Sequence, residues 1–139
     1  MHFNPLGPLY GKFFTSIGKA FDGKEFIGKE EFFAAIESAL EEIRKISPAK
    51  VGDKTLMDVL IPASEAFGTA LSEGKDFAQC LDAMDAAALK GRDSTVDMIA
   101  KIGRSSRLGE RSRGVMDAGS ASCYIILSSM ADSMKSLLV

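Results

Sequence analysis

The residues richest in chemical potential lie between Gly103 and Gly119, where the chain reads Gly-Arg-Ser-Ser-Arg-Leu-Gly-Glu-Arg-Ser-Arg-Gly-Val-Met-Asp-Ala-Gly. Arg104, Arg107, Arg111 and Arg113 stand among glycines and small hydroxyl residues, with neither a helical nor an alternating apolar period. A structureless stretch of this length is uncommon in a compact domain, and such stretches are usually functional or disordered. Ser120–Val139, directly after it, is strongly apolar with helical character, so Asp117-Ala-Gly-Ser falls at a helix N-terminus. Glycine permits close backbone approach, arginine supplies a fork of donors, and a helix start presents N–H groups. Together these suit a phosphate. The simpler alternative is a solvated basic loop closing on an Asp or Ser cap.

A second polar group is Asp53, Lys54, Thr55 and Asp58. Gly52-Asp-Lys-Thr has the Lys-Thr of a P-loop but lacks its first glycine, its spacing and a preceding strand, which excludes a Walker motif. An ordinary helix-opening turn, capped by Asp53 or Thr55, is the expectation. Magnesium needs oxygen ligands, commonly one or two carboxylates with nucleotide phosphates. Glu110, Asp117, Asp53 and Asp58 are available, but no Asp-x-Asp spacing gathers them, and Asp82 with Asp85 reads as a solvated helix face. His2, the only histidine, sits beside the terminus, so a histidine-based triad is excluded. Cys80 and Cys123 lie in apolar surroundings without Cys-x-x-Cys or Cys/His spacing. They read as free core thiols of a protein in a reducing cytoplasm. The residues therefore offer a phosphate-friendly loop without an evident catalytic group or metal cage.

These groups must be positioned by helices. Pro5, Gly7, Pro8 and Gly11 make a stiff entry to a helix with Pro8 in its first turn, continuing through Phe13, Phe14, Ile17 and Phe21 to Asp22-Gly23. Gly28–Ile46 has the clearest period, with Phe32, Phe33, Ile36, Leu40, Ile43 and Ile46 on one face. Acids early and bases late follow the helix dipole. A third helix is expected over about Thr55–Ser72, with Pro62 kinking it or marking its opening turns. After the turn Glu73-Gly74-Lys75, a fourth is expected over Asp76–Ile99, carrying Phe77, Leu81, Met84, Ala88, Thr95 and Met98 inward. Gly91 within it costs roughly 1 kcal/mol against alanine, which points to close packing. With the segment after Asp117 this makes five helices and no strand: an all-α antiparallel bundle in a single domain, residues 1–139.

The formal net charge of −2 rules out a general electrostatic adhesive for nucleic acid or anionic membrane. Asp132 and Lys135 interrupt the final apolar helix, which reads as core rather than membrane span. Met1–Gly11 lacks the charged start and apolar run of a signal peptide.

Three blocks, in order, resemble a known family. Gly7-Pro-Leu-Tyr-Gly, Gly52-Asp-Lys-Thr-Leu-Met-Asp-Val-Leu-Ile-Pro and the arginine-rich loop are similar to G-G-A-S-G-P-L-F/Y-G, G-D-K-T-M-x-D-x-x-x-P and G-R-A-S-Y-L-G-E-R-S-x-G-x-x-D-P-G. These are patterns of the nucleotide-binding (L) subunit of dihydroxyacetone kinases, most like the ADP-binding subunit of the phosphotransferase-system-dependent enzyme. The likeness covers essentially the whole chain. It implies an all-α barrel of antiparallel helices with a nucleotide, ADP or ATP, held among the loops at one end. It also implies a dihydroxyacetone-binding partner subunit and, where ADP stays bound, a phosphoryl-carrier protein that recharges it. By position, the resemblance assigns Arg104 to the phosphates, Asp117, Ala118 and Gly119 to the nucleotide site, Leu56 to the base or sugar, and Ser47 to a further contact.

The sequence departs from the pattern in places. Asn4-Pro5-Leu6 replaces Gly-Ala-Ser before Gly7, and Asp117-Ala-Gly replaces Asp-Pro-Gly. Family members carry a preceding G-D-x-D-H-G motif whose aspartates hold two Mg2+ ions, and these 139 residues start after it. Phosphoryl transfer depends on positioning and metal charge. The expectation is a chain with its first helices missing, inactive alone and prone to self-association through uncovered apolar faces. Two readings stand: the nucleotide-binding part of a phosphotransferase, or a non-catalytic helical binding module that keeps the fold.

Overall fold

Each helical period in the sequence becomes a helix, with boundaries set by capping chemistry. The computed structural model describes residues 6–102 and 104–138, the side chains of Arg104 and Ser105 excepted. Among the described residues there are five α-helices, two 3-10 segments and no strand. None of the helices among these residues is long and apolar enough to cross a membrane. The chain divides into two compact units, Met1–Pro48 and Ala49–Val139.

The first unit is a helical hairpin. Helix α1, Leu6–Phe21, has Pro8 in its opening turn, where a missing N–H breaks no helical bond. Its buried stripe is Phe13, Ser16 and Ile17, while Phe14 is half exposed and meets Phe13 edge-on at 5.2 Å. Helix α2, Lys29–Ile46, opens at Gly28, whose N–H donates to Glu31 Oε2 at 3.1 Å. Phe32, Ala35, Ile36, Ala39, Leu40 and Ile43 are buried; Phe33 lies at the border of the stripe and Ile46 is exposed at the end. The Ser47 N–H closes the helix on Ile43 O at 2.9 Å before Pro48.

The second unit holds α3 (Met57–Ser72), α4 (Phe77–Ser94) and α5 (Ala118–Leu137). Asp76 and Gln79 cap α4 reciprocally: Gln79 N–H donates to Asp76 Oδ1 at 2.8 Å and Asp76 N–H to Gln79 Oε1 at 3.1 Å. The core includes Val59, Leu60, Ala63 and Phe67 from α3, Cys80, Leu81, Met84 and Ala88 from α4, and Cys123, Leu127 and Ala131 from α5. Both cysteines are free and buried, as their surroundings in the sequence imply. Helix α4 ends at Ser94 rather than Ile99. The Ser94 hydroxyl bonds back to Gly91 O at 2.6 Å and the Thr95 hydroxyl to Arg92 O at 2.7 Å, which tightens the chain into the 3-10 turn Thr95–Asp97.

Pro62 and Gly91 together explain how α3 and α4 meet. Proline has no N–H, so the carbonyl four residues earlier, Asp58 O, loses its helical partner. A Cβ built on Gly91 would lie 2.1 Å from that same oxygen. Only glycine allows α4 this close, as the sequence indicated.

Candidate functional site

The turn before α3 is held by acids that accept from main-chain N–H groups. Asp53 Oδ2 takes the Lys50 N–H at 3.0 Å. Asp58 reaches back across the turn: its Oδ1 accepts from Gly52 N–H at 2.7 Å and its Oδ2 from Thr55 N–H at 2.8 Å. Asp53, expected as a possible helix cap, instead holds the preceding turn; Leu56 stands at the N-cap without a side-chain bond, and Thr55 Oγ1 accepts from Met57 N–H at 3.1 Å. Between the two N–H groups on Asp58 sits Lys54, with φ 63°. A left-handed non-glycine residue costs roughly 1–2 kcal/mol and persists only when its surroundings impose it. Asp58, 1% exposed, is that imposition.

Lys54 is itself buried, 5% exposed. Its ammonium donates to Met98 O at 3.2 Å, to Val115 O at 2.5 Å and to Ser112 O. All three acceptors belong to the stretch between α4 and α5. That stretch is not the structureless loop expected from its composition. Arg104–Ser112 forms 3-10 turns, interrupted at Gly109 with φ 54° and ψ −126°. The buried Ser112 hydroxyl donates to Gly109 O at 2.6 Å and accepts from Ala100 N–H at 2.9 Å. Two main-chain bonds close the mouth of the loop: Gly114 N–H to Val96 O at 2.6 Å, and Lys101 N–H to Asp53 O at 3.3 Å.

The start of α5 joins the same assembly. Asp117 is its N-cap, and Oδ2 accepts from Ser120 N–H at 2.8 Å. Asp117 N–H donates to Thr95 Oγ1 at 3.2 Å. The fully buried Ser120 hydroxyl lies 2.6 Å from Thr55 O and 3.1 Å from Asp117 Oδ2. This hydroxyl ties the residue before Leu56 to the turn that begins Asp117-Ala118-Gly119.

Of the residues singled out in the sequence, Leu56, Asp117, Ala118 and Gly119 therefore sit on elements joined directly by hydrogen bonds. Leu56 is buried at the start of α3; Asp117 is half-buried, Ala118 exposed and Gly119 buried. Ser47 caps the C-terminus of α2, in the first compact unit. Arg104 opens the 3-10 stretch, and the role assigned to its side chain lies outside the described residues. Arg107, Arg111 and Arg113 are exposed. Arg113 Nε is 3.6 Å from Glu110 Oε2, a solvent-facing contact of small energetic weight.

What these groups can do follows from their charge. The N-terminal end of a helix of this length favours an anion, and an arginine-bearing loop runs into it. Magnesium is a different matter. Asp53 and Asp58 are committed to main-chain N–H groups, and no group of three or more His, Cys, Asp or Glu among the described residues is placed to hold a metal ion. The residues present do not fit a magnesium cage. The sequence reading missed Lys54, Asp58, Thr95, Ser112 and Ser120 as organisers of the site. The one available signal was the repeated placement of short polar residues beside glycines at Gly52 and Gly119.

Comparison with known proteins matches nearly the whole chain. Residues 5–132 match the DAK2 domain. Over 132 residues the chain is 35% identical to the ADP-binding subunit DhaL of PEP-dependent dihydroxyacetone kinase 2 from Listeria innocua, covering 93% of this chain and 59% of that protein. It is 30% identical over 125 residues to the ADP-binding subunit DhaL of the PEP-dependent dihydroxyacetone kinase of Escherichia coli K12, covering 90% of this chain and 60% of that one. It is also 29% identical over 125 residues to an L-erythrulose kinase of Pectobacterium atrosepticum, covering 90% of this chain and 21% of that enzyme. The chain spans about three-fifths of the length of the two ADP-binding subunits.

Proposed function

The chain belongs to the DAK2 domain family, and from that premise we propose that it is the nucleotide-binding part of a dihydroxyacetone kinase. In the whole protein, ADP bound here would carry a phosphoryl group onward to dihydroxyacetone on a partner subunit. Residues 1–139 are read as one domain of this type, the family match running through both compact units. The observation that carries the proposal is the junction at Ser120, which fastens the Thr55–Leu56 turn to the N-terminus of α5 beside the arginine loop. An anionic ligand there meets helix-end N–H groups and guanidinium donors together.

Each residue then has a part. Asp117 fixes the first turn of α5, so that the Ala118 and Gly119 backbone presents a constant edge to the nucleotide. Leu56 supplies an apolar surface for the base or sugar. Arg104, at the entry of the loop, binds phosphate oxygens. PEP-dependent relatives support a phosphoryl-carrier protein as the donor that recharges ADP in place. No step is assigned to magnesium on these residues.

The test is ADP affinity and melting temperature for Arg104→Ala beside Arg113→Ala. A charge-assisted bond contributes about 1.5–3 kcal/mol, so Arg104→Ala should weaken ADP binding about tenfold to a hundredfold at unchanged Tm. Arg104→Lys should also lose affinity, because an ammonium cannot reproduce the guanidinium fork. Unchanged ADP affinity in a folded Arg104→Ala protein would refute the phosphate role.

A further inference from the structure

We propose that Lys54 is a positioning residue: its buried ammonium shapes the arginine loop, residues 98–115, without touching nucleotide. The inference starts from a mismatch between residue and place. Lysine is almost never fully buried unless its charge is compensated. Lys54 is 5% exposed, and it adopts a left-handed backbone that disfavours any residue with a Cβ. Two unfavourable features at one position require a strong compensating interaction.

That interaction is geometric. An ammonium has three donors, and Lys54 finds three acceptors: the carbonyls of Met98, Ser112 and Val115. Main-chain carbonyls at both ends of the loop thus converge on one nitrogen. The loop arginines lie between them in sequence, so the convergence fixes both ends of the main chain that carries Arg107 and Arg111. With its protons committed to carbonyls, Lys54 has none left for a phosphate. It differs in this from a P-loop lysine, which the neighbouring Gly-Asp-Lys-Thr superficially resembles. Asp58 completes the device by holding the turn on either side of Lys54, and the Asp53 carbonyl takes Lys101 N–H from the loop. Arginine cannot substitute: its donors lie in a plane and its head is larger.

The consequence for ligand binding rests on the ADP reading above, whereas the consequence for the loop does not. Lys54→Met keeps the apolar stem and removes the donors; Lys54→Arg keeps the charge and changes its geometry. Limited trypsin digestion reads loop order directly, because Arg107, Arg111 and Arg113 are exposed and are cleaved when the backbone can extend. Both variants should be cut in this loop at least about tenfold faster than wild type while helical circular dichroism is retained. ADP affinity should fall by about tenfold or more. Phe67→Leu, a core change next to Phe77 at the other end of α3, serves as a stability-matched control. It should lower Tm with no selective loop cleavage or ADP loss. Wild-type cleavage rates in folded Lys54→Met would overturn the proposal, as would an equal ADP loss in Phe67→Leu at matched Tm. Should Lys54→Met fail to fold, amine acylation of the wild type decides. Lys54 should label at least about tenfold more slowly than exposed Lys90, with and without ADP; equal labelling would overturn the proposal. A wild-type protein that ignores ADP but shows the predicted loop protection would refute the nucleotide reading and leave the role of Lys54 standing.

Discussion

Replacing Gly91 with alanine puts the contact between α3 and α4 to a direct test. In an exposed helix the change would stabilise by roughly 1 kcal/mol through propensity. Here the new Cβ would lie 2.1 Å from Asp58 O, 3.1 Å from Asp58 C and 3.2 Å from Val59 Cα. These neighbours are backbone, so no side chain can swing aside. The helices must separate locally by about 1 Å or more to reach ordinary contact, in a core that transmits such shifts. Overpacking of this kind costs typically 1–3 kcal/mol and occasionally more. The backbone clash places this case at the upper end, leaving a net loss of about 2 kcal/mol after the propensity gain. For a chain of this size that lowers Tm by about 8 °C. Because Asp58 also holds the Lys54 turn, faster trypsin cleavage after the loop arginines should accompany the loss. Calorimetric melting of wild type and Gly91→Ala is sufficient, and a Tm equal to or above wild type would refute the close approach of α4 to Asp58.

The remaining predictions concern groups that the fold has buried. Asp58→Asn keeps the shape but offers one acceptor oxygen for two N–H groups, so one of Gly52 and Thr55 loses its partner; a loss of about 1–3 kcal/mol in chemical denaturation is expected, and a neutral outcome would contradict the clamp. Asp117→Ala should remove about 1 kcal/mol through loss of the α5 cap, seen as a lower denaturation midpoint. Burial pushes the Cys123 thiol up to about 12. The folded state therefore keeps a proton that the unfolded chain gives up near pH 8.5. This contribution to stability is complete below that pH and declines as pH rises toward 12, by about 1.4 kcal/mol per pH unit at most. Cys123→Ala should flatten the alkaline fall in Tm, and an unaltered fall would show the thiol to be solvated.

Helix positions were legible because burial leaves a periodic signature: the stripe from Phe32 to Ile43 could be read directly, and Gly91 announced a close approach. The end of α4 was not, because Ser94 and Thr95 stop the helix by bonding back to carbonyls, and nothing in hydropathy records that choice. Lys54 was hidden for a related reason. Its partners are main-chain carbonyls far along the chain, and a carbonyl has no sequence identity. The arginine loop could be recognised as chemically distinct, but its 3-10 turns depend on that same lysine and on Ser112, and so emerge only in three dimensions.

Hydrogen–deuterium exchange with and without saturating ADP tests the proposed nucleotide site most directly, since it reports where the ligand acts whether or not turnover occurs. Protection should concentrate in residues 104–120 and in residues 52–58, the two stretches joined by Ser120 and Lys54. ADP-dependent protection confined to other parts of the chain, or none at ADP concentrations in the millimolar range, would contradict the assignment.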